Sequence, residues 1–150
     1  MRLAYRTGAP EPFPTLQIRV LGPDSSLLSS TDLRRLFSGR SLSRPRRDRI
    51  LTGHKVVALL GRRVVGLAAF ERTTDEIRVY ELALEPSLAF GAYDIVRSLL
   101  EALELASLAG GCRRLVLLPA AIVAAGPLER LGFRVTSERT AGGWLEKHFQ

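Results

Sequence analysis

IRVYELAL at 77–84, EPSLAFGAY at 85–93, DIVRSLLEALELASLA at 94–109 and RLVLLP at 114–119 follow one another along the chain. The first run is rich in β-branched, aromatic and leucine side chains and stops at Pro86, as a strand does. Over 94–109, Ile95, Leu99, Leu103 and Ala106 share one side of a helix. Arg97, Glu101 and Glu104 take the other, and Gly110-Gly111 ends it. RLVLLP is an unbroken apolar run between a basic pair and a proline, the pattern of a short strand buried on both faces. Strand, helix and strand at this spacing predict a right-handed parallel crossover.

Upstream, KVVALLG at 55–61 and RVVGLAAFE at 63–71 are two more strand runs. Gly61-Arg62 and Thr73 to Glu76 divide the three runs, so short connections predict an antiparallel meander, with Gly61 supplying positive φ in the tight first turn. Further back, Leu16, Ile18 and Val20 alternate with Gln17 and Arg19, which predicts a strand stopped by Gly22-Pro23. Ser30, Thr31 or Asp32 caps a short helix carrying Leu33, Leu36 and Phe37 and ending at Gly39, and a second short helix is expected over Arg46–Leu51. Gly8, Pro10, Pro12 and Pro14 predict an extended, flexible leader over 1–14, with the domain occupying 15–150. Downstream, a helix interrupted by Gly126-Pro127 is expected from Ala120 to Leu131. FRVTSE and GGWLEKHF then finish the chain as two strands around a turn at 140–143.

The 150 residues are 46% hydrophobic, enough for one core without metal or disulfide. Cys112 has no partner cysteine, and His54 and His148 complete no metal cluster with it, so no metal is expected. No stretch reaches the ~18 consecutive apolar residues of a membrane span, and no apolar segment follows the N-terminal arginines, so no membrane association is expected and cytoplasm is the expected compartment. The formal charge of +7 comes from twenty arginines against two lysines. Most arginines are scattered, which argues against a nucleic-acid stripe. The dense block RRLFSGRSLSRPRRDR at 34–49 reads either as a solvated helical face with a loop or as an electropositive rim for an anionic substrate or nucleic acid.

The order strand, two helices, three antiparallel strands, helix, strand, helix, two strands resembles the GNAT superfamily of CoA-dependent acyltransferases. Three local matches carry the resemblance. LERLGF at 128–133 is similar to the family's helix-to-strand signature, YELALEP at 80–86 to its fourth strand, and WLEKHF at 144–149 to its last. The resemblance covers about 15–149 and implies an α/β fold: a mixed, mainly antiparallel twisted sheet of about seven strands flanked by about four helices. It further implies acyl transfer, with acetyl-CoA as co-substrate and an amine as acceptor. The acceptor is unspecified, a small molecule or a protein. Homodimers occur among look-alikes, and the final strands offer an edge for pairing.

On that resemblance Glu81 is the candidate catalytic base, and backbone groups of Leu82, Ala83, Leu84, Gly91, Ala92, Tyr93, Asp94 and Ile95 are the candidate CoA-binding set. The family's pyrophosphate pattern, Arg/Gln-x-x-Gly-x-Gly/Ala, falls on 91–96, where its basic residue is replaced by Gly91 and its two glycine positions are Asp94 and Val96. Asp94 reads instead as the helix N-cap. The family's proton-donating tyrosine aligns with Leu128, and its asparagine after the fifth strand with Ala121. Tyr80 and Tyr93 are substitutes, although Tyr80 is expected in the core and Tyr93 over the helix start. Glu81 has an ordinary alternative as a strand carboxylate in water or paired with Arg72 or Arg78. Two other readings stay open: a GNAT-shaped acyl-CoA sensor or protein-binding domain without catalysis, and an arginine-rich nucleic-acid binder using 34–49 with Phe37.

Overall fold

Nearly unbroken apolar runs, buried on both faces, build the centre of the sheet. The computed structural model describes residues 15–38, 41–86, 92–118, 121, 128–135 and 145–149. Strands β1 (Leu16–Leu21), β2 (His54–Leu60), β3 (Arg63–Arg72) and β4 (Glu76–Leu84) pair antiparallel in chain order. Helices α1 (Ser30–Leu36) and α2 (Arg44–Thr52) lie between β1 and β2 in the chain. Helix α3 (Ala92–Ala109) then carries the chain to β5 (Arg114–Leu117), which pairs parallel with β4. β6 (Arg134–Val135) and β7 (Leu145–His148) complete a seven-stranded sheet of order β1-β2-β3-β4-β5-β7-β6.

The antiparallel meander, the helical connection between parallel β4 and β5, and the mixed sheet are all present. Gly61 turns β2 into β3 at φ +62°, as expected. α3 stops in a Schellman arrangement: Gly111 is at φ +78°, and the Cys112 N–H donates to Ser107 O at 2.8 Å. Three details differ from the sequence reading. The cap of α1 is Ser29, one residue earlier than expected, because Asp32 then falls at the position that completes a capping box. Ser29 Oγ accepts from the Asp32 N–H at 3.1 Å, and Asp32 Oδ2 accepts from the Ser29 N–H at 3.0 Å. α2 is longer than expected, capped by Ser43 with Pro45 in its first turn. β7 lies inside the sheet between β5 and β6, so of the last two strands only β6 forms an edge. Of the helix expected over 120–131, the described part is Ala121 and a single 3₁₀ turn at Leu128–Leu131. The leader at 1–14 and the turn at 140–143 lie outside the described residues.

Each face of the sheet has its own core. Ile95, Val96, Leu99, Leu100 and Leu103 of α3 pack on Val56, Ala68, Phe70, Ile77, Val79, Leu82, Leu115 and Leu117. On the other face Leu33 and Leu36 of α1 and Ile50 of α2 pack on Val57, Leu59, Leu67, Ala69, Tyr80 and Ala83. No described helix is long and apolar enough to cross a membrane.

Two bulges interrupt the two-residue alternation. Ala58 opposes Gly66 and Leu59 opposes Val64, which leaves Val65 extra in β3. Ala69 opposes Glu81 and Phe70 opposes Val79, which leaves Tyr80 extra in β4. As a result Ile77 and Val79 face α3, while Tyr80 and Glu81, although consecutive, both face α2.

Candidate functional site

β4 is a closed strand over its first half and an open one over its second. Its pairing with β5 runs from Glu76↔Arg114 to Val79↔Leu117, and the Leu118 N–H closes it on Val79 O at 3.0 Å. Beyond the unpaired Tyr80, four further residues, Glu81 to Leu84, pair with β3 alone among the described strands. The bulge at Tyr80 marks the start of that open half.

The predicted cofactor segments converge beside it. A Cβ built on Gly66 would stand 2.9 Å from Ile95 Cγ2 and 3.3 Å from Leu84 Cδ2, so the last residue of β4 and the first turns of α3 meet over a position where only glycine leaves room. Leu82 and Ala83 are buried in opposite cores and Leu84 is half-buried, so these residues have only backbone to offer a ligand. Ala92 opens α3, Tyr93 is half-buried and Ile95 is buried. Asp94 is not the helix cap: α3 begins two residues earlier, and the exposed Asp94 carboxylate pairs with Arg97 at 3.3 Å. Gly91 lies outside the described residues.

Glu81 is neither open to water nor paired with Arg72 or Arg78. It is 5% exposed, and both its oxygens accept from Arg46, Oε2 from Nε at 2.7 Å and Oε1 from Nη2 at 2.8 Å. The Glu81 carboxylate holds the Arg46 guanidinium above the usual arginine range, chiefly through these hydrogen bonds. Arg78 instead bonds the buried Glu76, and the Arg72 guanidinium lies toward the end of α3, with Nη2 3.4 Å from Ala106 O. Beside Glu81, the Tyr80 hydroxyl donates to Arg49 O at 3.2 Å, the Arg49 guanidinium carbon stands 3.7 Å from the centre of the Tyr80 ring, and burial pushes the phenol up from its ordinary pKa. Arg49 also reaches Glu71 at 3.0 Å. Arg49, Gly53, His54, Phe70, Glu71 and Tyr80, with Thr52 and Arg72, line a cleft of about 310 Å³ that Glu81 does not line.

The mouth of the open half is braced in the same way. Glu85, next after β4, is buried and accepts from Arg63 Nε at 2.6 Å and Arg35 Nη1 at 2.7 Å. Arg35 also bonds Val64 O and Asp32. Three arginines of the 34–49 block, Arg35, Arg46 and Arg49, therefore hold strand carboxylates, so the block is not simply a solvated face.

Sequence reasoning placed Arg46 in the basic block but missed it as the partner of Glu81, and it missed Lys55. Arg46 and Arg49 stand three apart on one helix face, which matches two consecutive side chains on β4 only once the bulge is known. Lys55, the second residue of a strand, is fully buried, and its ammonium donates to Leu51 O at 2.9 Å and Gly53 O at 3.1 Å at the end of α2. No sequence signal pointed to that burial.

An antiparallel meander, a helical crossover and a parallel pair that ends halfway along its longer strand define the fold class of CoA-dependent acyltransferases. The chain has the GNAT fold. N-acetylglutamate synthase from Neisseria gonorrhoeae, in complex with coenzyme A and N-acetyl-glutamate, matches with a TM-score of 0.66 at 15% identity, over 89% of this chain and 35% of that one. The chain thus spans about a third of the synthase's length. The PaiA N-acetyltransferase from Thermoplasma acidophilum in complex with coenzyme A gives 0.64 at 15% identity over 90% of this chain and 99% of that one. A GNAT family acetyltransferase from Elizabethkingia anophelis with acetyl-CoA bound gives 0.64 at 15% identity over 89% and 98%. No family profile and no curated protein sequence matches the chain.

Proposed function

We propose that this chain transfers an acetyl or other acyl group from CoA to an amine, with acetyl-CoA as co-substrate. The observation that carries this reading is the half-open β4 with the start of α3 beside it. Backbone amides of Leu82 to Leu84 offer an extended, amide-bearing arm the hydrogen bonds of an added strand. The first N–H groups of α3, which begins at Ala92, offer a diphosphate a helix N-terminus. Solved structures of the same fold hold coenzyme A or acetyl-CoA. In this reading Glu81 accepts a proton from the amine, and the thiolate, a good leaving group, departs without requiring a protein acid at Leu128.

Calorimetric titration with acetyl-CoA, with a desulfo analogue and adenine nucleotides as controls, tests the reading. Saturable binding that requires the pantetheine arm is expected, and absence of binding together with absence of thermal stabilisation at ligand excess would sink it. Glu81→Gln is expected to lower turnover at unchanged CoA affinity, and full activity in that variant would remove Glu81 from the mechanism.

The bidentate Arg46 bond on Glu81 favours a second reading, a GNAT-fold domain that binds acyl-CoA or a protein partner without catalysis. A sensor leaves the bound thioester intact over hours, whereas an enzyme consumes it once an acceptor is present.

A further inference from the structure

The Arg46 and Glu81 pair raises a question that the acyltransfer reading alone leaves unanswered: how a carboxylate with both oxygens engaged takes up a proton. The pair is lopsided. Glu81 is 5% exposed, whereas the Arg46 side chain is 43% exposed and faces solvent from the first turn of α2. Arg46 uses Nε and Nη2 on Glu81 and Nη1 on Ser41 O at 3.1 Å. A guanidinium carries five N–H donors, so two are left unengaged by the described residues and can meet a ligand arriving from solvent. On α1 and α2 arginines outnumber acidic residues six to two. Arg34 and Arg47, on the same two helices, form no ion pair with a described carboxylate, and Arg44 reaches Asp48 only at 3.9 Å.

We infer that the acceptor is a small amino acid whose own carboxylate engages Arg46 and draws it away from Glu81, freeing the base only when the acceptor is in place. This rests on the acyltransfer reading above. Two carboxylates sharing one guanidinium compete for it, and a second negative charge at close range favours protonation of one of them. The acceptor brings that charge and the proton together. Its ammonium gives one proton to Glu81, and the neutral amine attacks the thioester carbonyl carbon. The C–N bond forms, the C–S bond breaks, the thiolate leaves with the bonding pair and takes the second proton from nitrogen. Glu81 returns its proton to solvent as Arg46 re-pairs. The sum is ammonium plus thioester to amide, thiol and one proton.

The test uses matched acceptors that differ only in the carboxylate, each amino acid against its primary amide and its decarboxylated amine. Binding is read by NMR shift titration of the whole chain without acetyl-CoA, and turnover with it. The amino acid is expected to bind on the order of a hundredfold more tightly than either partner, as for a charge-assisted bidentate contact. That preference is expected to disappear in the Arg46→Met, Glu81→Met double variant, which removes both charges and leaves no buried ion unpaired. Equal binding of all three members, or a preference that survives in the double variant, overturns the inference. Acetyl-CoA titration of the same preparation judges the parent reading separately: matched-pair discrimination without acetyl-CoA binding would keep the Arg46 site and discard the transfer step.

Discussion

The two faces of the sheet are held by different physics. Under α3 the described buried side chains are apolar apart from Ser107, whose hydroxyl bonds its own helix at Leu103 O at 2.7 Å. Under α1 and α2 the apolar cluster is crossed by charged contacts: Arg35 on Glu85, Arg46 on Glu81, Arg49 over Tyr80, and Lys55 on the end of α2. An apolar face gains from every atom it buries and has no reason to open. A face held by ion pairs has a smaller net gain, because desolvation offsets much of the attraction, and its partners can be exchanged by another ion. The division suits a domain in which α3 fixes one wall of the open β4 half while α2 carries the groups proposed to meet an acceptor.

The largest expected effect lies on the apolar face. Leu99 of α3 is fully buried, and Leu99→Ala is expected to cost about 2 to 5 kcal/mol in urea unfolding, from lost transfer energy plus the cavity. Arg46→Met on the other face leaves Glu81 buried without its partner and is expected to cost about 1 to 3 kcal/mol, the penalty of an unsatisfied buried group. The Arg46→Met, Glu81→Met double variant should recover most of that loss. If Arg46→Met proves costlier than Leu99→Ala, or if the double variant is no better than the single one, the contrast between the faces is wrong.

The same contrast explains how much could be read from the sequence. Apolar periodicity is a property of the chain itself, so the β2, β3 and β4 runs, the α3 stripe of Ile95, Leu99 and Leu103, and the buried RLVL of β5 were all legible, and with them the fold. The candidate site was legible only in part. Glu81 and Leu82 to Leu84 stand on the open half of β4, but the bulge that turns Tyr80 and Glu81 to the same face arises from pairing with β3, which no local pattern encodes. An arginine 35 residues away from its carboxylate is likewise invisible among twenty arginines. Ion pairs are set by where two elements meet, and apolar stripes by where one element must be buried.

The smallest expected effect is a pH dependence confined to the charged face. Burial pushes the Lys55 ammonium down from its ordinary 10.5, so below that value the unfolded chain binds the proton more readily than the folded one. Stability contributed through Lys55 therefore rises with pH across the window that ends near the unfolded value. Tyr80 acts in the opposite sense: burial raises its phenol above 10.0, so the folded state holds that proton longer, and its contribution is lost as pH climbs through the raised value. Urea midpoints from pH 8 upward should thus rise toward about pH 10 and then fall. Lys55→Met is expected to flatten the rise, and Tyr80→Phe the fall, while Leu99→Ala lowers the whole curve without changing its shape. A change of shape in Leu99→Ala would mean that the two faces are coupled through the sheet, and that the helix over the open half of β4 feels the charge state of the layer opposite.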